Sequence, residues 1–331
     1  MNALVAGGAG YIGSVMTETL LAQGHRVVVY DNLSHGHRDA VHPGATFVAG
    51  DVADQSALER VLRQHQIEGV IHMAAFIEVG ESVREPAKYL DNNTLRAVGL
   101  LEAMRRVGVR LFVLSSTAAV YAPSSELLTE RSPLAPASPY GLSKLFLEQA
   151  LAWYASHGLH YFALRYFNAA GATARSGERH QPESHLIPLV LEAAAGQRPA
   201  IHIYGTDYAT PDGTCVRDYI HVSDLAQAHV LALHRLQQEA LQREPDSATI
   251  PKLEDRAFNL GNGTGFSVRE VIAAAERVCR RPIPVVEQPR RPGDVDRLVA
   301  SSAKMRALGW QPRHAELEGI IASAWAYKQR R

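Results

Sequence analysis

Asn2-Ala-Leu-Val-Ala6, followed at once by Gly7-Gly-Ala-Gly10-Tyr-Ile-Gly13, is the stretch that decides the fold. The first five residues read as a short buried strand. An apolar-periodic helix follows the glycines through Val15, Met16, Leu20 and Leu21 to Gly24, which suits a C-terminal cap. Strand, glycine turn and helix thus come in the order of a dinucleotide fold. Glycines at 7, 10 and 13 let the backbone turn tightly, approach a pyrophosphate and pack helix on strand, while the helix N-terminus offers N–H groups to the anion. The next strand, Arg26-Val-Val-Val-Tyr-Asp31, ends in a carboxylate. An acid there hydrogen-bonds an adenosine ribose and repels a 2′-phosphate, so the sequence predicts NAD rather than NADP.

Further along, strands are expected at Thr46–Ala49 before Gly50-Asp51, at Gly69–Met73 before Ala74-Ala75, at Leu111–Ser115 and at Tyr161–Arg165, with helices over roughly 55–65, 86–107 and 139–156. Short apolar strands alternating with amphipathic helices make an α/β protein with a doubly wound parallel sheet of Rossmann type. Its ligands sit beyond the carboxyl ends of the strands. Those ends carry Gly7 to Gly13, Asp31, Asp51, Ala74, Ser115 to Thr117 and Asn168. Past residue 168 glycine, proline and charged loops become frequent and helices are expected to shorten, while Ala257-Phe-Asn-Leu-Gly261 is expected to rejoin the sheet. The chain therefore divides into an NAD-binding domain over 1–168, with returning segments near 219–265, and a smaller C-terminal α/β substrate lobe over 169–331. The polar, proline-interrupted run 237–256 reads as a helix extension and an exposed loop.

Ser138-Pro-Tyr140-Gly-Leu-Ser-Lys144 places a phenol and an ammonium four residues apart on one helix face. A nearby positive charge favours a phenolate, which makes the tyrosine a usable base. Taken alone, a Y-x-x-x-K spacing describes many packed tyrosines beside solvated lysines. Its position after a dinucleotide-binding half is what gives it weight.

Composition narrows the function. Of 331 residues 46% are hydrophobic, enough for a large core, and the 34 basic residues match 34 acidic ones, so nothing points to nucleic acid or a membrane surface. The N-terminus enters the first strand directly and no apolar run approaches a membrane span, so the expected location is the cytoplasm. Two cysteines, Cys215 and Cys279, are too few for a disulfide framework and read as packing residues. The fifteen histidines form no metal-ligand spacing, and no metal is expected.

The glycine turn, the strand end Ser115-Ser-Thr117-Ala-Ala-Val-Tyr121 and Tyr140-x-x-x-Lys144 together resemble the extended short-chain dehydrogenase/reductases. Further segments are similar to the UDP-glucose 4-epimerases of that family: Asp31-Asn-Leu-Ser, Gly80-Glu-Ser-Val, Asp91-Asn-Asn93, Tyr166-Phe-Asn168-Ala-Ala-Gly171, His185-Leu-Ile-Pro188, Asp212-Gly-Thr-Cys-Val-Arg217-Asp-Tyr-Ile-His-Val222-Ser-Asp-Leu, Phe258-Asn-Leu-Gly-Asn-Gly263 and Arg290-Arg-Pro-Gly-Asp294. These cover nearly the whole chain, and those in the second half are not shared by dehydrogenases in general.

The resemblance implies that Tyr140 takes the C4 hydroxyl proton of a UDP-hexose, that Thr117 hydrogen-bonds the same oxygen, and that Lys144 holds the nicotinamide ribose. A transient 4-keto sugar then presents its other face to the cofactor, so that C4 is inverted with no net oxidation. NAD contacts are implied at Gly7, Gly10, Tyr11, Ile12, Gly13, Asp31, Asn32, Asp51, Val52, Ala74, Ala75, Asn93, Ser115, Tyr140, Lys144 and Tyr166. Substrate contacts are implied at Thr117, Tyr140, Asn168, His185, Leu186, Tyr204, Arg217, Arg291, Asp294 and Leu298. Among these, Tyr204 is assigned to uracil and the arginines to phosphate oxygens. His185, where some relatives have Asn, is expected either to reach substrate or to cap the helix that follows.

Two departures bear on function. Ile77 stands where many members have Lys, which removes one contact to the cofactor phosphates, and Leu298 stands where some carry a bulky Tyr beside the sugar's C2 substituent. The second makes N-acetylated UDP-hexoses (UDP-GlcNAc, UDP-GalNAc) an alternative substrate, alongside UDP-pentoses and UDP-uronates. A 4,6-dehydratase needs an Asp-Glu pair where this chain has Thr117-Ala118, and an NAD-binding regulatory protein has no need of Tyr140 and Lys144. A homodimer is expected through the helices near 86–107 and 139–156, with Leu100, Leu101, Leu145 and Leu151 outward-facing.

Overall fold

The structure, a computed structural model, describes residues 1–242, 249–291 and 294–330. In chain order the strands are β1 (Asn2–Ala6), β2 (Arg26–Asp31), β3 (Thr46–Ala49), β4 (Gly69–His72), β5 (Leu111–Thr117), β6 (His160–Tyr166), β7 (Asn168–Ala170), β8 (Ile201–Tyr204), β9 (Val216–His221), β10 (Ala257–Leu260), β11 (Gly265–Ser267), β12 (Val285–Gln288) and β13 (Arg297–Leu298). Seven of them form one sheet in the order β10-β6-β5-β4-β1-β2-β3. β1 runs parallel to both β2 and β4, β2 to β3, and β4 to β5. The strand order turns back on itself between β1 and β4, the point at which doubly wound sheets bind their ligands. β4 and β5 are buried along their whole length, as strands covered on both faces must be.

Two compact units are built from interleaved segments. The first comprises Met1–Ala122, Glu130–Arg165 and Ala226–Phe258, and its core joins Leu4, Leu58, Leu62, Phe112, Leu147 and Tyr161. The second comprises Pro123–Thr129, Tyr166–Leu225 and Asn259–Arg331, with Ile187, Ile203, Tyr219, Val271 and Ile320 at its centre. It contains the sheet β11-β9-β13, with β7 beside β9, and the parallel pair β8–β12. Its helix Val268–Cys279 opens on a capping box, Ser267 and Glu270 each bonding the other's backbone N–H.

Ala257 to Leu260 rejoins the large sheet as expected, at its edge beside β6. Two expectations need correction. The later half does not have shorter helices throughout, since Val222–Gln242 runs for 21 residues. Its apolar face, including Leu225, Val230, Leu233 and Leu236, is buried, and that burial sustains its length. Leu100, Leu101, Leu145 and Leu151 do not face outward. All four are buried, because helices that flank a sheet spend their leucines on the core first. The apolar residues left exposed on these helices are Leu95, Phe146 and Trp153, at 65%, 42% and 63%. Of the polar run 237–256, residues up to Gln242 extend the long helix and Leu253–Arg256 form a single turn, while 243–248 lie outside the described residues.

Candidate active site

The glycine turn is shaped by close approaches. Gly7 has φ of +84°, and a Cβ on it would lie 2.5 Å from the Ala74 nitrogen, so β1 and the loop after β4 meet where no side chain fits. A Cβ on Gly13 would fall 2.1 Å from the Gly7 carbonyl oxygen. Gly10 differs: its φ is −80° and a Cβ there would meet only the Gly7 oxygen, at an ordinary 3.5 Å. The fold itself therefore does not require glycine at 10. What glycine leaves there is room at the start of the helix Tyr11–Ala22, which has no side-chain cap and no acidic residue in its first turn. An open helix N-terminus of this kind suits a pyrophosphate, so these residues fit NAD.

Asp31 ends β2 and is buried, one carboxylate oxygen accepting from the Ala9 N–H at 2.9 Å and the other from the Leu33 N–H at 2.8 Å. It thus ties the glycine turn to the loop after β2, with lone pairs left on both oxygens for a ribose hydroxyl. Asn32 donates to Asp51 at 2.9 Å, and Arg96 reaches the same carboxylate at 3.3 Å. Burial raises the Asp51 carboxyl, but the Ala53 N–H, Asn32 and Arg96 outweigh it and hold it below the usual range. Val52 is buried next to it. After β4, Ala74 and Ala75 lead to Phe76, whose N–H and carbonyl are both held by the Asn93 carboxamide, each at 2.9 Å. Asn93 reaches that loop because the helical run from Pro86 to Val107 widens over Asp91–Leu95, a bulge of the kind frequent at functional sites.

Thr117, Tyr140 and Lys144 converge from β5 and one helix. Ser138 caps the helix Pro139–Ala155, its hydroxyl accepting from the Gly141 N–H at 3.2 Å, with Pro139 in the first turn. A Cβ on Gly141 would lie 2.2 Å from the Ala119 carbonyl oxygen, so the helix start rests directly on the backbone just past Thr117. That contact brings Tyr140 and Thr117 into one neighbourhood. Both are buried, and the Thr117 hydroxyl accepts from the Ala119 N–H at 3.1 Å. One helical turn on, Lys144 is 3% exposed and donates to the Ser115 carbonyl at 2.9 Å, using one of its three hydrogens. Burial pulls its pKa down to about 8, opposed by the Glu148 charge. His72, at the end of β4, is pushed to about 3 by burial and then by Lys144, and so stays neutral.

Sequence reasoning missed what lies behind these groups. Glu148 and Arg165, 1% and 0% exposed, form an ion pair at 2.6 Å between the helix and β6. Each gave a signal: a lone acid in an apolar helical run one turn after Lys144, and a lone cation at the end of the apolar run Tyr161-Phe-Ala-Leu.

In the second unit, Asn168 opens β7 and donates to the Asp218 carbonyl at 2.9 Å. Arg217 donates to the Val216 and Val295 carbonyls and reaches Asp294 at 3.3 Å. Leu298 is its register partner in the parallel pair β9–β13. The Arg291 guanidinium lies 3.7 Å over the Tyr204 ring. Arg217, Asp294 and Leu298 are thereby brought together, as are Arg291 and Tyr204. Residues 292 and 293 of the arginine motif lie outside the described residues. His185 precedes the helix Leu186–Ala194 but makes no side-chain cap; its Nδ1 pairs instead with Glu183 at 2.8 Å. Just before it, His180 pairs with Glu178 at the same distance, and Glu178, Glu183 and His185 bring one ligating atom each within 4.8 Å of one another. Each of the two carboxylates is thus in contact with a histidine of the chain itself.

Cys215 and Cys279 are both free thiols, and among the described residues no helix is long and apolar enough to cross a membrane.

Residues 3–244 match the NAD dependent epimerase/dehydratase family. A UDP-glucose 4-epimerase of Streptomyces lividans is 49% identical over 328 residues, 98% of this chain and 95% of its own length. One from Lacticaseibacillus casei is 46% identical over 334 residues, covering 99% and 97%. The crystal structure of UDP-glucose 4-epimerase from Brucella ovis in complex with NAD superposes with a TM-score of 0.91 at 44% identity, covering 98% of both chains. Glycine turn, terminal Asp31 and the Tyr140–Lys144 helix therefore sit in a chain that belongs to the NAD-dependent epimerase/dehydratase family, among its UDP-glucose 4-epimerases.

Proposed function

We propose that this chain inverts C4 of a UDP-hexose, interconverting UDP-galactose and UDP-glucose with NAD retained through turnover, and so serves galactose metabolism. The carrying observation is the set Tyr140, Lys144 and Thr117, buried around the end of β5, with Lys144 anchored to the Ser115 carbonyl. Bound NAD supplies the hydride acceptor and donor. Tyr140 removes the C4 hydroxyl proton as the sugar becomes a 4-keto species, and returns it when hydride comes back to the other face. Thr117 holds the same oxygen, and Lys144 combines a positive charge beside Tyr140 with a hydrogen bond to the nicotinamide ribose.

In this reading the first unit is the NAD-binding domain, with Gly7, Gly10, Tyr11, Ile12, Gly13, Asp31, Asn32, Asp51, Val52, Ala74, Ala75, Asn93 and Ser115 around the cofactor, and Tyr166, the first residue of a second-unit segment, is assigned to the cofactor as well. The second is the UDP-sugar lobe. There Arg217 and Arg291 hold phosphates, Asp294 the uridine ribose, Tyr204 the uracil, and Asn168, His185 and Leu186 the rest of the substrate. Leu298 leaves room at C2, which supports acceptance of N-acetylated UDP-hexoses. Exposed Phe146 and Trp153, seven residues apart on one helix face, together with Leu95, support a homodimer. The two free cysteines and balanced charge fit the cytoplasm.

Purified protein given UDP-galactose and no added cofactor should form UDP-glucose. Binding of NAD without conversion would mark a regulatory binder instead.

A further inference from the structure

Helix Pro139–Ala155 is fastened to β5 at two consecutive residues. Lys144 donates to the Ser115 carbonyl at 2.9 Å, and one turn later Glu148 accepts from the Ser116 hydroxyl at 2.5 Å. The next residue of β5 is Thr117. Glu148 is in turn gripped by Arg165 of β6, through Nε to Oε1 at 3.0 Å and Nη2 to Oε2 at 2.6 Å. The same guanidinium donates to the Tyr121 hydroxyl at 3.0 Å and lies 5.0 Å over that ring. One ion pair therefore holds both ends of the segment 116–121 that carries Thr117.

A fully buried ion pair is a poor choice for stability alone, since apolar residues of similar volume commonly do as well. We propose that Glu148 and Arg165 are positioning residues for the epimerisation: they set the register of Thr117 against Tyr140, and the Glu148 carboxylate stands one helical turn from the Lys144 ammonium. This rests on the function proposed above. The charged groups facing Lys144 are few. Tyr140 and Glu148 lie one turn either side on its own helix, His72 faces it from β4, and Arg165 stands behind Glu148 from β6. His72 is neutral, so Glu148 is the group that opposes the effect of burial on the lysine.

The test is turnover of UDP-galactose against pH for the holoenzyme, for Glu148→Gln and for Glu148→Gln/Arg165→Met, with NAD content and thermal unfolding measured in parallel. In the parent, turnover should fall as pH rises through about 8, where Lys144 loses its proton. In Glu148→Gln that alkaline limb should move down by ~1 pH unit or more, because a negative charge is lost and Arg165 is left unopposed. The double variant replaces the pair with neutral groups and so remains foldable if the single variant does not; its limb should move down by less. Ser116→Ala, which leaves every charge in place, should lower kcat with little change in KM or in the limb. Uniform loss of activity with unmoved limbs in the folded variants would overturn the proposal. A parent that converts no UDP-galactose would sink the functional reading itself, which separates the two failures.

Discussion

Gly13 lies so close to Gly7 that an added Cβ would come within 2.1 Å of the Gly7 carbonyl oxygen, whereas Gly10, between them, has space around it. The three glycines of one motif therefore have different physical reasons. Gly13→Ala forces helix and strand apart and should destabilise the fold by ~1–3 kcal/mol or more. Gly10→Ala fits the backbone and should leave the unfolding temperature of the NAD-free protein unchanged or slightly higher. It should nonetheless weaken NAD about tenfold or more, equivalent to ~1.4 kcal/mol, by filling the room at the helix N-terminus. Thermal unfolding of stripped protein and NAD titration check both outcomes.

Tyr140→Phe keeps the ring and deletes the proton acceptor. Turnover should fall by ~10²–10⁴-fold while NAD content stays at the parent level. In its proposed role Thr117 also holds the sugar oxygen, so Thr117→Ala, which removes that bond along with the one from the Ala119 N–H, is expected to cost less, about three- to tenfold. Steady-state kinetics on UDP-galactose distinguishes the two, and a Tyr140→Phe enzyme at parental speed would remove the base assignment.

The NAD half was legible because its constraints are local. A glycine turn between strand and helix, and Asp31 at the end of β2, act on backbone within a few residues of themselves. Asn93 was reached only through the family resemblance, and the Glu148–Arg165 pair not at all; each acts across 17 residues, through contacts that have no period along the chain. The leucines of the two flanking helices misled for a related reason. Adjacent leucines on a flanking helix do not announce which side meets its own sheet and which a partner, and Leu100, Leu101, Leu145 and Leu151 went inward. His185 was placed correctly before its helix, yet its ring turned to Glu183, because a charged carboxylate two residues away outcompetes a backbone N–H.

His180 is raised above its ordinary value by its hydrogen bond to Glu178. A group raised on folding stabilises the protein fully below its unfolded value of 6.5, and that contribution is lost as pH climbs through the higher folded value. The His180 contribution should therefore decline from pH 6.5 upward, so the stability difference between the parent and Glu178→Gln should narrow over that range. Denaturant unfolding at several pH values checks it. A Glu178→Gln protein with the parent's pH slope would remove His180 as the cause.

Phe146 and Trp153 remain exposed on a helix that buries Leu145, Leu147 and Leu151. If a second copy covers them, Trp153→Glu should shift the protein toward monomer in sedimentation analysis, since a carboxylate buried without a partner is strongly unfavourable. Trp153 lies more than three helical turns beyond Tyr140, so a monomeric Trp153→Glu variant should still carry NAD at the parent level. An unchanged sedimentation coefficient would assign the exposed rings to the monomer's own surface.

Leu298 sits opposite Arg217 in the parallel pair of β9 and β13, half-buried and without a polar group of its own. If Leu298 faces the sugar's C2 substituent as proposed, tyrosine there would add a ring and a hydroxyl to that pocket. An acetamido group is larger than a hydroxyl, so Leu298→Tyr should cut kcat/KM for UDP-GlcNAc by about tenfold or more, a loss of ~1.4 kcal/mol, and change that for UDP-galactose by much less. The ratio of the two values is the informative quantity, because a general loss of stability lowers both together. A ratio equal to the parent's would show that Leu298 does not read the C2 substituent.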